Sequence, residues 1–291
     1  MGLSNLLENQ DAILLDGAMG TQLAERGLSM GGQNNLTNPD QVLGIHEQYS
    51  QCGCHILITN TLTMNRNYIE THNLSVDVGE VNLAGAKLAK QAARQDQYIL
   101  GDISSTGKLL EPYGDISESE VYEAFKEQAA FLAEGGVDGF IIETMLDLRE
   151  ALCALRACKN VAQIPVIVSM AFTTSKNEGR TIMGHSALEC AKTLTDAGAS
   201  VIGTNCGDLD PSQMAEVVSV LKEATSLPVL AQPNAGKPKL IRSRTLFDMS
   251  PAEFATGISK CLRAGARLVG GCCGTSPLHI CTVAELLGKS T

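Results

Sequence analysis

Eight short apolar runs recur along the chain, at residues 12–15, 55–59, 98–101, 139–142, 165–170, 201–203, 228–231 and 267–270. They consist mostly of Val, Ile and Leu and do not alternate with polar residues. That is the pattern of strands buried on both faces. Amphipathic stretches separate them. The clearest covers 117–135, where Val121, Phe125, Gln128 and Leu132 fall near helical spacing and Glu and Lys fill the other face. Ser117 and Glu120 read as a capping box at its start. Pro211 and Pro251 stand where later helices open, the helical positions at which proline is tolerated. No linker rich in Pro, Ser or charge interrupts the repeats.

Eight strand–helix units predict an α/β fold, a single-domain (β/α)8 TIM barrel spanning 1–291 with its core at about 11–289. A doubly wound open sheet is the alternative. Polar punctuation favours the barrel. After nearly every run stands a chemically distinctive group: Asp16-Gly17, Asn60-Thr61, Asp102, Glu143-Thr144, Thr173-Thr174, Asn205-Cys206, the stretch 233–236 and Cys272-Cys273. A barrel gathers eight strand ends into one mouth, whereas an open sheet spreads them along an edge.

Composition narrows the chemistry. A chain of 291 residues, 44% hydrophobic, can bury a large core. A net charge of -10 argues against nucleic acid as a partner, because that binding runs on basic patches. The first residues lack the charged start and apolar run of a secretory signal, and no stretch is apolar enough to span a bilayer, so no membrane association and a cytoplasmic location are expected. In such a chain ten cysteines suggest metal binding or catalysis before a disulfide framework. Cys153, Cys158, Cys190, Cys261 and Cys281 lie in surroundings where a cysteine serves as a small core residue. Cys52 and Cys54, with no second pair nearby, are read the same way.

Three cysteines stand apart. Cys206 precedes Gly207, and Cys272-Cys273 is framed by Gly270-Gly271 and Gly274. Adjacent cysteines rarely bridge each other, because the peptide between them would be strained. In a regular strand they point to opposite faces, so aiming both at one ion requires a turn that glycine permits. In a barrel only one strand lies between the two stretches, a backbone gap of roughly 10 Å from a strand spacing of about 4.8 Å. Inward side chains and zinc–sulfur bonds of about 2.3 Å close it. Zn2+ held by three thiolates with a fourth exchangeable ligand suits the binding of another thiol. Simple burial and a redox site are the competing readings.

Seven segments together carry a family resemblance: 14–21, 59–61, 107–110, 142–144, 204–206, 233–236 and 270–275. From about Leu14 to His279 the chain resembles the homocysteine S-methyltransferase family, and within it the homocysteine-binding module of cobalamin-dependent methionine synthases. The resemblance implies a zinc-dependent (β/α)8 barrel that methylates homocysteine to methionine. Cys206, Cys272 and Cys273 match the zinc ligands, and Asn234 matches an asparagine that fills the fourth place without substrate. Glu143 matches the carboxylate that holds the substrate ammonium. Asp16, Gly17 and Thr61 match positions around the amino-acid end. Each has a plainer reading as well: Glu143 as a carboxylate paired with Arg or Lys, Asp16 as a turn former, Thr61 as a helix cap. His185 is read as a loop residue. The chain departs from the family in having Ser104-Ser105 where Gly-Pro is usual.

The methyl donor is the open point. No Asp-x-His-x-x-Gly motif of a cobalamin-binding module is present, so the donor is expected from outside. A methyl-corrinoid protein in trans is one choice; S-methylmethionine or S-adenosylmethionine is the other. A sulfonium pocket should offer aromatic faces or carboxylates. Aromatics make up only 4% of the chain, with no Trp, which tilts the expectation toward the corrinoid partner. A non-catalytic zinc- and thiol-binding subunit is a reading of a different class.

Overall fold

A computed structural model describes residues 2–241 and 244–288; Lys289, the end of the expected core, lies outside them. The strands are β1 (Ile13–Leu14), β2 (Ile56–Ile58), β3 (Tyr98–Ile103), β4 (Gly139–Met145), β5 (Val166–Met170), β6 (Val201–Asn205), β7 (Val229–Gln232), a hairpin of β8 (Lys239–Ile241) and β9 (Arg244–Leu246), and β10 (Leu268–Val269). The main sheet is wholly parallel, in the order β1-β10-β7-β6-β5-β4-β3-β2. A parallel bridge from Leu15 to Ile56 joins its two edges. The predicted barrel is therefore the observed one, and the open sheet is excluded. The hairpin between β7 and β10 was not expected; it is short, and Leu240 and Leu246 on it are exposed.

Alternation along each strand divides the core in two. Leu14, Leu57, Ile99, Phe140, Ile142, Val168, Ile202, Val229 and Val269 face the helices. Ile13, Leu15, Ile56, Leu100, Ile141, Ile167, Val201, Leu230 and Leu268 fill the barrel interior. The helix Leu3–Asn9, ahead of the expected core, adds Leu3 and Leu7 to that interior cluster. This layered filling makes the barrel a solid scaffold rather than a pore.

The helices follow their sequence signals. Glu118–Glu134 begins at the Ser117–Glu120 capping box, and Val121, Phe125, Gln128 and Leu132 are all fully buried. Gln128 stays inside because its Nε2 donates to the Thr61 carbonyl at 2.8 Å and to Asn82 Oδ1 at 3.2 Å, as a buried amide must. Pro211 and Pro251 open the helices Pro211–Ala224 and Pro251–Arg263.

Cys54, Cys153, Cys158, Cys190 and Cys261 are buried, and burial raises the thiols of Cys190 and Cys261 to about 12. The expectation for Cys52 and Cys281 is corrected: they form a disulfide. Cys52 ends the helix Pro39–Gln51 and Cys281 lies on Pro277–Leu286, two helices in contact across the seam where the barrel closes. Their Cα atoms are 4.5 Å apart, although 229 positions separate them in sequence.

Candidate functional site

At the carboxyl ends of the strands the inward positions turn polar. Asp102 follows Leu100, Glu143 follows Ile141, Ser169 follows Ile167 and Gln232 follows Leu230, each two residues on. Asn205 follows Gly203 on β6 in the same way. Strand pairing continues through this polar layer, so β3, β4 and β6 run further than their apolar runs suggested.

The sulfur corner forms where β6 and β10 end on either side of β7. The sulfurs of Cys206, Cys272 and Cys273 lie within 4.8 Å of one another, and Cys206 to Cys273 is 4.0 Å. Tetrahedral bonds of about 2.3 Å to one zinc ion would set sulfurs about 3.8 Å apart. Unusual backbone brings them together. Cys206 has φ +55° and Gly207 φ +67°, and a Cβ on Gly207 would stand 2.3 Å from the Phe172 carbonyl. The N–H of Cys272 donates to the Pro233 carbonyl at 2.9 Å, and Thr275 Oγ1 donates back to the Cys272 carbonyl at 2.8 Å. A Cβ on Gly271 would meet Thr275 Oγ1 at 2.5 Å, so glycine is required for that turn. Thr275 Oγ1 also accepts from the Ala18 N–H at 3.0 Å, tying the turn to the loop after β1.

Hydrogen bonds within the trio decide where its charge sits. Those from Cys272 and Cys273 pull the Cys206 thiol down to about 3, against the effect of burial. The same bonds and burial raise Cys272, and the bond with Cys206 raises Cys273 to about 12. A bound cation would favour the thiolate form of all three. Asn205 flanks this corner. Its Nδ2 donates to Thr144 Oγ1 at 2.7 Å and lies 3.9 Å from Cys272 Sγ, while its Oδ1 accepts from the Thr144 N–H and Ser169 Oγ. Thr144, next to Glu143, has φ +58°. Asn234 donates to the Gly207 carbonyl at 3.0 Å, and its buried Oδ1 has no partner.

A cavity of about 300 Å3 opens beside the sulfurs. Of the predicted residues Gly17, Glu143, Cys272 and Cys273 line it, together with Asp102, Gln232, Thr59 and Asn60. Asp16, Thr61, Asn234 and Cys206 are not among the lining residues. Asp16 is buried with Oδ2 accepting from the Ile58 N–H at 2.9 Å and Oδ1 unpartnered. Thr61 spends its hydroxyl on the Asp102 carbonyl at 2.8 Å and on Thr59 Oγ1 at 2.7 Å, holding the end of β3 from behind. Burial pushes Glu143 up to about 8, helped by Cys206. Burial, then nearby Glu143, raises Asp102, and burial is also the main cause for Asp16. The plainer reading of Glu143, a partner for Arg or Lys, finds no support, because no ion pair of Glu143 occurs among the described residues. His185 lies on a loop beside Asp147 and Glu189.

Ser104 and Ser105 replace the missing rigid turn with hydrogen bonds. Ser104 Oγ donates to the Glu143 carbonyl at 2.7 Å, and Ser105 Oγ donates to the buried Glu150 carboxylate at 2.9 Å. Glu150 also accepts from the N–H and hydroxyl of Thr106. Sequence reasoning assigned no role to Asp102, Asn205, Gln232 or Glu150; for Asp102 and Gln232 the period of two from an inward leucine was the available signal.

Comparison with known proteins agrees with this geometry. A model of the family described as homocysteine S-methyltransferase matches residues 13–287. The chain is 29% identical over 309 residues to methionine synthase of Mycobacterium leprae (strain TN), covering 98% of this chain and 25% of that protein. It is 29% identical over 302 residues to methionine synthase of Mycobacterium tuberculosis (strain ATCC 25618 / H37Rv), covering 97% and 25%. The chain thus spans about a quarter of the length of the curated relatives it matches. Its fold superposes on the metallated form of the homocysteine methyltransferase MmuM from Escherichia coli, with a TM-score of 0.79 at 20% identity, over 97% of this chain and 98% of that one.

Proposed function

The chain belongs to the homocysteine S-methyltransferase family, and on that premise we propose that it transfers a methyl group to the thiol of L-homocysteine, giving methionine, with Zn2+ held by Cys206, Cys272 and Cys273. Residues 11–289 form the homocysteine-binding core in this reading. The observation that carries it is the convergence of three sulfurs within 4.8 Å at one end of a barrel, beside a cavity walled by buried carboxylates. The donor set fits the ion. Three thiolates are the soft ligands zinc accepts, their spacing suits tetrahedral bonds, and Asn234, whose side chain hydrogen-bonds Cys206 and whose Oδ1 has no partner, would supply a fourth donor in the substrate-free site.

Zinc bound in this way supplies a lowered thiol pKa, which makes a bound thiol a nucleophile at neutral pH. The chain's own residues do the rest. Glu143 accepts from the ammonium of the substrate, and Gly17 and its loop meet the amino-acid end. Asp16 backs Glu143, and Thr61 fixes the end of β3. Asn205 holds Cys272 and the Glu143–Thr144 turn in register. The sulfur forms a bond to the methyl carbon, the donor–methyl bond breaks with its electron pair leaving on the donor, and the thiol proton passes to solvent. Positioning for in-line attack is the protein's main contribution.

We assign the donor role to a methyl-corrinoid protein that docks on the mouth. Support comes from the rim. Met30, Leu62, Leu109, Tyr113, Leu146, Ile182, Met183, Leu240 and Leu246 are all exposed, and all sit on segments that follow the carboxyl ends of strands. Met30 and Leu62 line the cavity itself, and exposed apolar side chains on the same end of the barrel favour an interaction face there. Among the described residues no helix is long and apolar enough to cross a membrane. The test is to supply homocysteine with a methylated corrinoid protein, S-methylmethionine or S-adenosylmethionine in separate reactions and to measure methionine. Formation with the corrinoid protein alone is expected. Methionine from either sulfonium alone would overturn the donor assignment. Zinc and homocysteine binding with no methionine from any donor would reduce the chain to a thiol-binding subunit.

A further inference from the structure

The disulfide between Cys52 and Cys281 sits at a joint of the site. Cys52 follows the helix Pro39–Gln51, which carries Tyr49 about one turn earlier. Tyr49 is fully buried, and its hydroxyl donates to the Ala18 carbonyl at 2.9 Å and to the Thr275 carbonyl at 3.3 Å. Gly17 and Ala18 line the cavity, and Thr275 is the residue whose Oγ1 holds the Cys272 carbonyl. A Cβ on Gly17 would stand 2.7 Å from Thr275 Oγ1 and 2.9 Å from Tyr49 Oη, so the three meet without spare room. Cys281 lies on Pro277–Leu286, a helix that opens just after Thr275. The bridge therefore ties together the two helices that reach the sulfur turn, one through Tyr49 and the other through the chain itself.

Stability alone does not call for this bond. Small domains with thin cores rely on disulfides, whereas this chain closes a large core around its barrel. The bond is also open to attack from one side. Cys52 is 1% exposed, but Cys281 is only partly buried, so a small thiolate meets Cys281 Sγ first. Attack there breaks the S–S bond with its electron pair on Cys52 Sγ, which takes a proton. Cys52 Sγ lies 3.1 Å from the Pro277 carbonyl, an acceptor for that new S–H. A second small thiol then releases Cys281 from the mixed disulfide. In balance, the bridge is reduced to two thiols and two small thiols are oxidised to one disulfide. Homocysteine is itself a small thiol of this class.

We infer that the Cys52–Cys281 bond is a staple opened by small thiols, and that opening it loosens the hold of Cys206, Cys272 and Cys273 on zinc. This rests on the zinc reading above. With the bond closed, Tyr49 is fixed against Ala18 and Thr275, and the turn at Cys272 is held from both flanking helices. With it open, only packing and hydrogen bonds join those helices, and the turn gains freedom.

The experiment uses zinc-loaded protein, either equilibrated with air or treated with a small thiol that is then removed under argon, beside a Cys52→Ser/Cys281→Ser variant. Alkylation of the unfolded, metal-free chain followed by mass spectrometry counts thiols, and a chromophoric chelator reads the rate of zinc release. Ten cysteines less the two of the bridge leave eight to alkylate before treatment, and all ten after it. The treated parent and the double variant should release zinc roughly twofold to thirtyfold faster than the bridged parent, the range over which residues outside a site modulate it. Tyr49→Phe should shrink the difference between bridged and opened protein, because the hydroxyl that carries it is gone. Ten alkylated residues in air-equilibrated protein, or a release rate that opening moves by less than about twofold, overturns the inference while the zinc reading stands. A full difference kept in Tyr49→Phe overturns the route through Tyr49. Protein that holds no zinc in either state overturns both readings. If the double variant does not accumulate as folded protein, the treated parent carries the same comparison.

Discussion

At the floor of the barrel Leu3 and Leu7 share one cluster with Ile13, Ile56 and Leu268, and each of these side chains is apolar and buried. At the mouth, a few residues further along the same strands, the inward positions are Asp102, Glu143, Ser169, Asn205 and Gln232. Several of these keep a buried polar atom with no partner. The inward side chains named at both ends are buried. The floor is satisfied by itself, while the mouth keeps unpartnered polar atoms at Asp102, Glu143 and Gln232. The difference teaches where the scaffold ends: a strand can be read as stability up to its last inward leucine and as chemistry beyond it.

The strongest way to sharpen this contrast is to remove one sulfur. Cys272→Ala should abolish stoichiometric zinc binding and methionine formation, well beyond the roughly hundredfold cost of losing an outer-shell partner. Its thermal unfolding without metal should stay near that of the metal-free parent, because the turn is held by Gly271 and by the backbone of position 272. Zinc analysis and calorimetric melting check this together. A variant with full zinc content would remove the sulfur corner from the mechanism.

The converse change belongs at the floor. Leu7→Ala deletes buried methyl groups from a closed layer and should lower the unfolding free energy by about 2 to 5 kcal/mol. Homocysteine affinity and zinc content should stay within about twofold of the parent. Urea denaturation and thiol titration read the two quantities separately. A parallel loss of affinity would show that the floor tunes the mouth and that the two ends are not independent.

Much of this was legible in the sequence because it is local. Non-alternating apolar runs mark β2, β5 and β7, and glycines beside Cys272 and Cys273 announce a turn. The polar wall was half legible. The step of two from Leu100 to Asp102 and from Leu230 to Gln232 was present, but nothing local separates an inward strand-end acid from an ordinary turn former. Asp16 stands just past the end of β1, where alternation no longer says which way a side chain points; it is buried close to Glu143 without being among the residues that line the cavity. The Cys52–Cys281 bond and the role of Thr61 depend on residues brought together by closure of the barrel, and no pattern within one segment encodes that.

Asp16 supplies the smallest and most particular test. Its Oδ2 has the Ile58 N–H, its Oδ1 has nothing, and Glu143 lies close enough to repel it. Burial, above all, raises its carboxyl well above the ordinary range. The folded protein therefore holds this proton at pH values where the unfolded chain has released it. The stability associated with the protonated form is complete below the unfolded pKa and is lost as pH rises toward the folded one. Asp16→Asn keeps the shape and an acceptor for Ile58 but cannot ionise. In ligand-free protein the variant should match the parent near pH 4 and grow relatively more stable as pH rises. The gain has a ceiling of about 1.4 kcal/mol per pH unit for a single group. Denaturant unfolding at intervals from pH 4 to pH 8 measures it. A difference that stays constant across that range would mean that Asp16 carries no electrostatic burden, and the contrast between a satisfied floor and an unsatisfied mouth would then rest on Asp102 and Glu143 alone.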